Sequence, residues 1–484
     1  MVHRRLRILM VSSEVESLAR TGGLGDVVEA LSLALAELGQ EVLVVTPLYG
    51  VTRLPGTTVR WPGTVPVRFG WGSQDVRQAS VVETSAVRFS SGGSRRVCLL
   101  DDPALYRRQG IYEDMWGPFG DNALRFAVMS RGALEIAARV WDGGPDVVHA
   151  HDWHAAFAVL YAKLVMGDGW ARKRCVFTIH NLAFQGVLDA DVLDRLHLPR
   201  AAFRPEVLWH DGHVNLMKGA TALAEHITTV SPTYAREILA PAGGFGLDGH
   251  LRAHAHRLTG ILNGIDEKRF DPQSDVALAE RYDASSFVRG RLTCKHALAD
   301  EVGLERGEGP LFGCVARLTS QKGTDLLVPL LPELVARGAR FVVVGQGERS
   351  LEDQLLWAAE AFPGKVAVRI AFDPRLSRRV YAGTDFFVVP SRFEPCGLTQ
   401  MYAMRYGSLP VVTDVGGLHD TVDADVGFLA SRADVEQLGA ACRAALDRFA
   451  DPEAHAATIR RAMARDFAWR GSAERYLSLY RAPA

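Results

Sequence analysis

Two cations, Arg317 and Lys322, stand in the run Ala316-Arg317-Leu318-Thr319-Ser320-Gln321-Lys322-Gly323, directly after the apolar stretch Leu311–Val315. A strand that ends in such a turn sends both charges beyond its carboxyl end, where open α/β sheets bind ligands. The pair suits a diphosphate, and it would neutralise charge on a leaving group as a glycosidic bond breaks. A solvated basic loop would look the same locally. A second run, Pro390-Ser391-Arg392-Phe393-Glu394-Pro395-Cys396-Gly397-Leu398-Thr399-Gln400, follows the apolar stretch Phe386–Val389 and opens a helical pattern over Leu398–Tyr406. The start of that helix offers free N–H donors to phosphate. Glu394 has two readings: a carboxylate that fixes a sugar ring by accepting from its hydroxyls, or a charge complementing the helix dipole. Cys396 has no local histidine partner, so packing or a place beside a ligand is expected rather than covalent catalysis.

A third run, Arg20-Thr21-Gly22-Gly23-Leu24-Gly25-Asp26, joins the first strand to the first helix. Adjacent glycines let backbone approach a ligand with no Cβ in the way, and Arg20 adds a planar, bidentate cation. A tight turn with no ligand is the alternative. The spacing is neither GxGxxG nor GxxxxGK[ST], which argues against NAD and against a P-loop ATPase. His149, His151 and His154 invite a metal reading. Taken as facing opposite ways from a strand end, His149 and His151 are not expected to share a metal. His180, at the end of the strand Cys175–Ile179, is either a site residue or a hydrogen-bonded structural histidine.

These residues need a scaffold that brings strand ends together. The first half alternates short apolar strands (Arg7–Ser13, Glu41–Thr46, Val97–Leu100, Asp146–Ala150, Cys175–Ile179, His226–Val230) with helical patterns such as Leu24–Leu38. The second half repeats this with Leu311–Val315, Phe341–Val344, Val366–Ile370, Phe386–Val389 and Val411–Thr413. All-apolar strands between helices indicate mostly parallel sheets covered on both faces. The expected fold is α/β: two doubly wound, Rossmann-like domains facing a cleft. Their expected spans are 1–257 and 258–468, with a boundary near Leu258. The glycine-rich Pro241–Gly249 reads as a loop, and 51–96 as an excursion of short strands or loops.

Composition narrows the partners. The chain has 484 residues, 48% hydrophobic and 23% charged, with 55 Lys+Arg against 56 Asp+Glu. Several ordinary cores are expected at this length. The near-zero charge disfavours nucleic acid and suits a neutral polymer or a small phosphorylated ligand. The six cysteines form no CxxC pair, so no zinc or redox motif is expected, and a reducing compartment is the natural one. The apolar run in MVHRRLRILMVSS is short for a signal-peptide core and reads as a first strand. No stretch approaches the ~20 apolar residues of a membrane helix, so a cytoplasmic, membrane-independent protein is expected.

Taken together, the segments resemble the bacterial glycogen synthase and plant starch synthase family, of the two-Rossmann-domain GT-B type. The resemblance runs through SSEVESLARTGGLGDVVEAL, DNALRFA, DVVHAHDWHAA, TIHNLAFQG, HITTVSPTYAREI, ILNGID, RLTSQKG and SRFEPCGLTQMYAMRYG, in family order. It extends to FAWRGSAERYLSLY, similar to a closing helix at about 469–484 that returns to the first domain. The resemblance implies glucose transfer from ADP-glucose to an α-1,4-glucan, with retained configuration and no metal or organic cofactor. It implies that Arg317 and Lys322 hold the diphosphate, that the Gly397-Leu398-Thr399 backbone caps it, and that Glu394 holds the glucose. It places His180 and Asn263 near the reacting centre and Asp152 near the acceptor. Arg20, Gly22, Gly23, Gln321 and Cys396 fall on the donor side; Asp26, Asp121 and Asn122 fall on the acceptor side. One departure is Arg20, where the family usually has Lys; the two are not interchangeable at a close phosphate contact. Another is Tyr402, where many retaining GT-B relatives carry a second Glu, which sets this chain apart from the sucrose-synthase-like branch. The rivals are a transferase with another donor or a small acceptor such as maltose, and a non-enzymatic glucan-binding paralogue.

Overall fold

The computed structural model describes residues 4–69 and 76–482. The chain divides into two compact units. One comprises the described residues up to Val230, Ala235–Gly264 and the described residues from Trp469; the other comprises Ser231–Tyr234 and Ile265–Ala468.

In the first unit, the main sheet runs Leu258–Gly260, His226–Thr229, Arg174–Ile179, Val147–His151, Arg7–Val11, Glu41–Pro47, Ser94–Asp101. All of these pair in parallel, and Val76–Thr84 and Thr58–Arg60 then extend the sheet antiparallel. Ile8, Leu9, Met10 and Val11 are all fully buried. A strand buried on both faces needs helices on both sides, which is why the sequence reads as a continuous apolar run.

On one side lies the helix Gly23–Glu37, whose Leu24, Val27, Val28, Leu31 and Leu35 form one buried stripe. Against it packs the C-terminal helix Trp469–Arg481, through Trp469, Ala473, Tyr476, Leu477 and Tyr480 at helical spacing. The final helix is therefore part of the first unit's core.

Two segments differ from the expectation from sequence. Leu258–Gly260 is not the start of the second unit; it pairs with Ile227–Thr229 at the edge of the first sheet, and the contact boundary falls after Gly264. Three residues make a weak strand signal, easily read as linker. Pro241–Gly249 is not one loop: it forms the short helix Pro241–Gly244 and the start of Asp248–Ala253. Pro241 sits at the first helical position, where its missing N–H costs nothing.

The second unit has a parallel sheet ordered Val366–Ile370, Arg340–Gly345, Leu311–Val315, Phe386–Val389, Leu409–Thr413, Phe428–Ala430. Leu311–Val315 and Phe386–Val389 are neighbours, so the turns after Val315 and Val389 emerge side by side. Gly323 makes their approach possible. Its φ is +64°, and a Cβ there would meet the Pro390 carbonyl oxygen at 2.0 Å. Thr413 Oγ1 donates to the Ser391 carbonyl at 2.6 Å, fixing the second turn from the next strand.

Candidate active site

In the second unit, a cavity of about 140 Å³ opens between the two strand ends, lined by Cys314, Val315, Arg317, Lys322, Ser391 and Thr399 among others. Lys322 Nζ donates to Glu394 Oε2 at 2.5 Å, and Ser391 Oγ donates to the same oxygen at 2.9 Å. Glu394 is only 5% exposed. A carboxylate this buried is expensive unless paired, and Lys322 supplies the charge. Arg317 is exposed, and its guanidinium takes no partner among the described residues. Gln321 donates to the Phe393 carbonyl at 3.3 Å and accepts from the Arg392 N–H at 2.9 Å, tying the two turns together.

Leu398 precedes the helix Thr399–Arg405, and the amides of Gly397 and Leu398 find no backbone acceptor among the described residues. They are available to an anion. Cys396 is buried, and a Cβ on Gly417 would lie 2.2 Å from its carbonyl oxygen, so that stretch is packed tightly against the next turn. All six cysteines are buried and free, and burial pushes Cys175, Cys314 and Cys442 up to about 12. Thiols held protonated in this way pack as small hydrophobes. Tyr402 stacks on Phe270 with ring centroids 3.8 Å apart, so this position is held by an aromatic pair.

In the first unit, the glycine loop is shaped by a residue to which the sequence assigned no role. Glu14, 3% exposed, accepts from the amides of Thr21 (2.7 Å) and Gly22 (3.1 Å) and from Thr21 Oγ1 (3.0 Å). Tyr112 donates to its other side at 2.5 Å, and Ser13 Oγ lies 2.8 Å from the same phenol. The only sequence signal for this arrangement is an acidic residue inside an otherwise buried strand end. Gly22 itself has φ −152°, and a Cβ there meets nothing within 4 Å. Arg20 Nη1 lies 2.6 Å from Asp26 Oδ1 and 3.6 Å from Glu16 Oε1, so Asp26 serves Arg20. Asp121 takes both terminal nitrogens of Arg108 at 2.6 Å each. Asn122 donates to the Tyr112 carbonyl at 2.9 Å and accepts from Arg125 at 2.6 Å, bracing the segment that carries Tyr112.

Asp152 opens the helix Asp152–Leu164 with φ +58°, a left-handed conformation rare outside glycine and of order 1 kcal/mol in strain. Its carboxylate accepts from the His180 amide at 2.7 Å and the Asn181 amide at 3.4 Å, and so shapes the turn after Ile179. Burial pushes Asp152 up to about 7, against the opposing pull of those two amides. Asn263 is 5% exposed, and its Oδ1 is buried without a partner among the described residues. It belongs to the first unit.

The histidine reading needs correction. Residues two apart on a strand share a face, and the rings of His149 and His151 lie 4.0 Å apart. No group of three or more His, Cys, Asp or Glu among the described residues is arranged to hold a metal ion. His154 instead stacks on Tyr112 at 4.6 Å. His149, His151 and His154 are each at most 8% exposed. Burial pushes His149 and His154 down to about 3 and holds His151 well below the usual range.

Groups with folded pKa values depressed in this way contribute stability above pH ~6.5, where the unfolded chain is also neutral. That stability is lost as pH falls toward 3. With all three titrating in the unfolded chain, the slope reaches about 4 kcal/mol per pH unit. Asp152, whose pKa is raised, acts oppositely: its contribution fades as pH rises through about 7. Thermal melts between pH 7 and 4 are expected to show Tm falling ever more steeply below pH 6.5, and His154→Phe to flatten the curve. A pH-independent Tm would contradict the buried neutral histidines.

A larger hollow of about 510 Å³ beside Ser17, Arg53 and Arg95 collects none of the residues singled out in the sequence. Among the described residues, no helix is long and apolar enough to cross a membrane.

Residues 7–253 match the family described as starch synthase catalytic domain, and residues 309–448 match glycosyl transferases group 1. The chain is 43% identical to a glycogen synthase of Myxococcus xanthus, covering 98% of this chain and 99% of that one. It is 41% identical to a glycogen synthase of Yersinia pestis, covering 98% and 100%. Among solved structures it is similar to the catalytic domain of starch synthase IV from Arabidopsis thaliana bound to ADP and acarbose, with TM-score 0.89, 31% identity and 99% of both chains covered.

Proposed function

The chain belongs to the glycogen and starch synthase family, and from that premise we propose that it moves glucose from ADP-glucose to the non-reducing end of an α-1,4-glucan with retained configuration. The observation that carries this reading is the second unit's cluster: Arg317, without a partner among the described residues, and Lys322 line one cavity, and Lys322 is paired with a buried Glu394.

Arg317 and Lys322 take the diphosphate, the Gly397–Thr399 backbone caps it, Gln321 holds the two turns in register, and Glu394 accepts from glucose hydroxyls. Gly22, Gly23 and Arg20 serve the donor from the glycine loop. Asn263 offers its bare Oδ1 near the glucose. Asp152, and Asp121 and Asn122 through the Tyr112 segment, serve the acceptor side, and His180 lies near the reacting centre. The first unit is thus the acceptor-side unit and the second binds the nucleotide sugar. No far-face nucleophile is invoked: the acceptor hydroxyl attacks the face the phosphate leaves, and the leaving phosphate oxygen takes its proton. Positioning and charge stabilisation then carry the rate. The work is done in the cytoplasm, without a metal or organic cofactor.

Transfer assays with ADP-glucose against UDP-glucose, onto glycogen against maltose, test the substrate pair. ADP-glucose with glycogen is expected to be fastest; transfer only to maltose, or from UDP-glucose alone, would overturn the pair. Arg20→Ala is expected to raise the donor KM about tenfold, the loss of one charge-assisted contact. An unchanged KM would remove Arg20 from the donor site and leave it as Asp26's partner alone.

A further inference from the structure

Among the described residues, the ring of His180 makes one hydrogen bond: its Nε2 lies 3.0 Å from Nδ1 of His151. His151 is fully buried, and its Nε2 is buried with no partner among the described residues. Behind it, 4.0 Å away, stands the ring of His149, fixed on both nitrogens. His149 Nε2 meets Thr178 Oγ1 at 2.6 Å, and its Nδ1 meets Tyr480 Oη of the C-terminal helix at 2.7 Å. Thr178 is held in turn by Thr228 at 2.6 Å.

Only one proton can lie between two neutral imidazoles. If His151 carried its proton on Nε2, a buried N–H would be orphaned, which folded proteins avoid more strictly than an unused acceptor. The proton therefore sits on His151 Nδ1 and is donated to His180 Nε2. That leaves His180 protonated on Nδ1, the nitrogen that no protein group among the described residues takes.

We propose that His151 is the positioning residue of His180: it locks the ring and its tautomer so that Nδ1–H is presented as a donor to a sugar oxygen, with the Tyr480–His149 layer as the buttress behind it. This rests on the proposed place of His180 at the reacting centre. The C-terminal helix thereby has a role in the site beyond closing the core.

Nitrogen-15 NMR of the ring nitrogens in the wild-type chain reads the tautomer directly. His180 is expected to show a protonated Nδ1 and an unprotonated, hydrogen-bonded Nε2; the reverse assignment would overturn the proposal. In parallel, His151→Phe keeps the ring's volume and removes the bond, while His151→Asn places an amide where Nδ1 stood. The first is expected to lower kcat by up to about 100-fold, the cost of a small misplacement at a reacting centre, with the donor KM unchanged within twofold. The second is expected to recover most of that loss. Equal loss in both variants, or none in His151→Phe, would overturn the positioning role. Wild-type activity in His180→Ala would instead remove His180 from the reacting centre, a separate failure.

Discussion

Replacing either cation of the second unit with alanine should cost turnover far more than affinity. Arg317→Ala and Lys322→Ala are each expected to lower kcat by about 10²–10³ while the donor KM moves only a few-fold. The reason is timing. In the ground state the diphosphate already carries its charge and, on the proposed reading, is partly served by the Gly397 and Leu398 amides, which take no backbone acceptor among the described residues. As the glycosidic bond breaks, extra negative charge gathers on the departing oxygen, and a fixed cation there acts mainly on the transition state. The two should differ in detail. Arg317 has no partner among the described residues, so on the proposed reading its loss removes only ligand contacts. Lys322 is paired at 2.5 Å with Glu394, so its loss also strands a buried carboxylate. Lys322→Ala should therefore lower Tm as well as kcat, and Arg317→Ala should leave Tm alone. Steady-state kinetics with a thermal melt of each variant checks both statements.

Glu394→Gln should produce the second large effect, with an unusual signature. The side chain keeps its shape and its contact with Ser391. Lys322, however, is released from its counter-ion. If Glu394 both restrains Lys322 and orients the glucose ring, turnover should fall about 10²-fold or more, while the product ADP binds as tightly as before or more tightly. Calorimetric ADP titration beside the transfer assay separates the two roles. A kcat within twofold of wild type would remove Glu394 from the sugar, leaving it as a structural partner of Lys322.

What was legible in the sequence follows from how local each feature is. The turn 316–323 and the run 390–400 declare themselves because glycine, proline and charge fall at fixed offsets from apolar strands. The pairing of Lys322 with Glu394 adds only that the two strands are neighbours. Glu14 was not legible: its partner Tyr112 lies 98 residues away, and nothing at either position signals the other. The same holds for Tyr480 and His149, 331 residues apart. The histidine pair differs from the sequence expectation for a simpler reason, since a two-residue step on a strand returns to the same face. The edge strand Leu258–Gly260 is hard to read in sequence because three residues carry almost no periodicity. Asp121 and Asp26 were visible as carboxylates beside the site, but not as the partners of Arg108 and Arg20, because that depends on which arginine the fold brings near.

The most direct test of the central claim is transfer of radiolabelled glucose from ADP-glucose onto glycogen by the wild-type chain and by Lys322→Ala, side by side. Labelled polymer that an α-1,4-specific glucosidase releases as glucose, formed at least about 100 times faster by the wild type, is the predicted result. No incorporation by the wild type, or equal incorporation by both, would contradict the account.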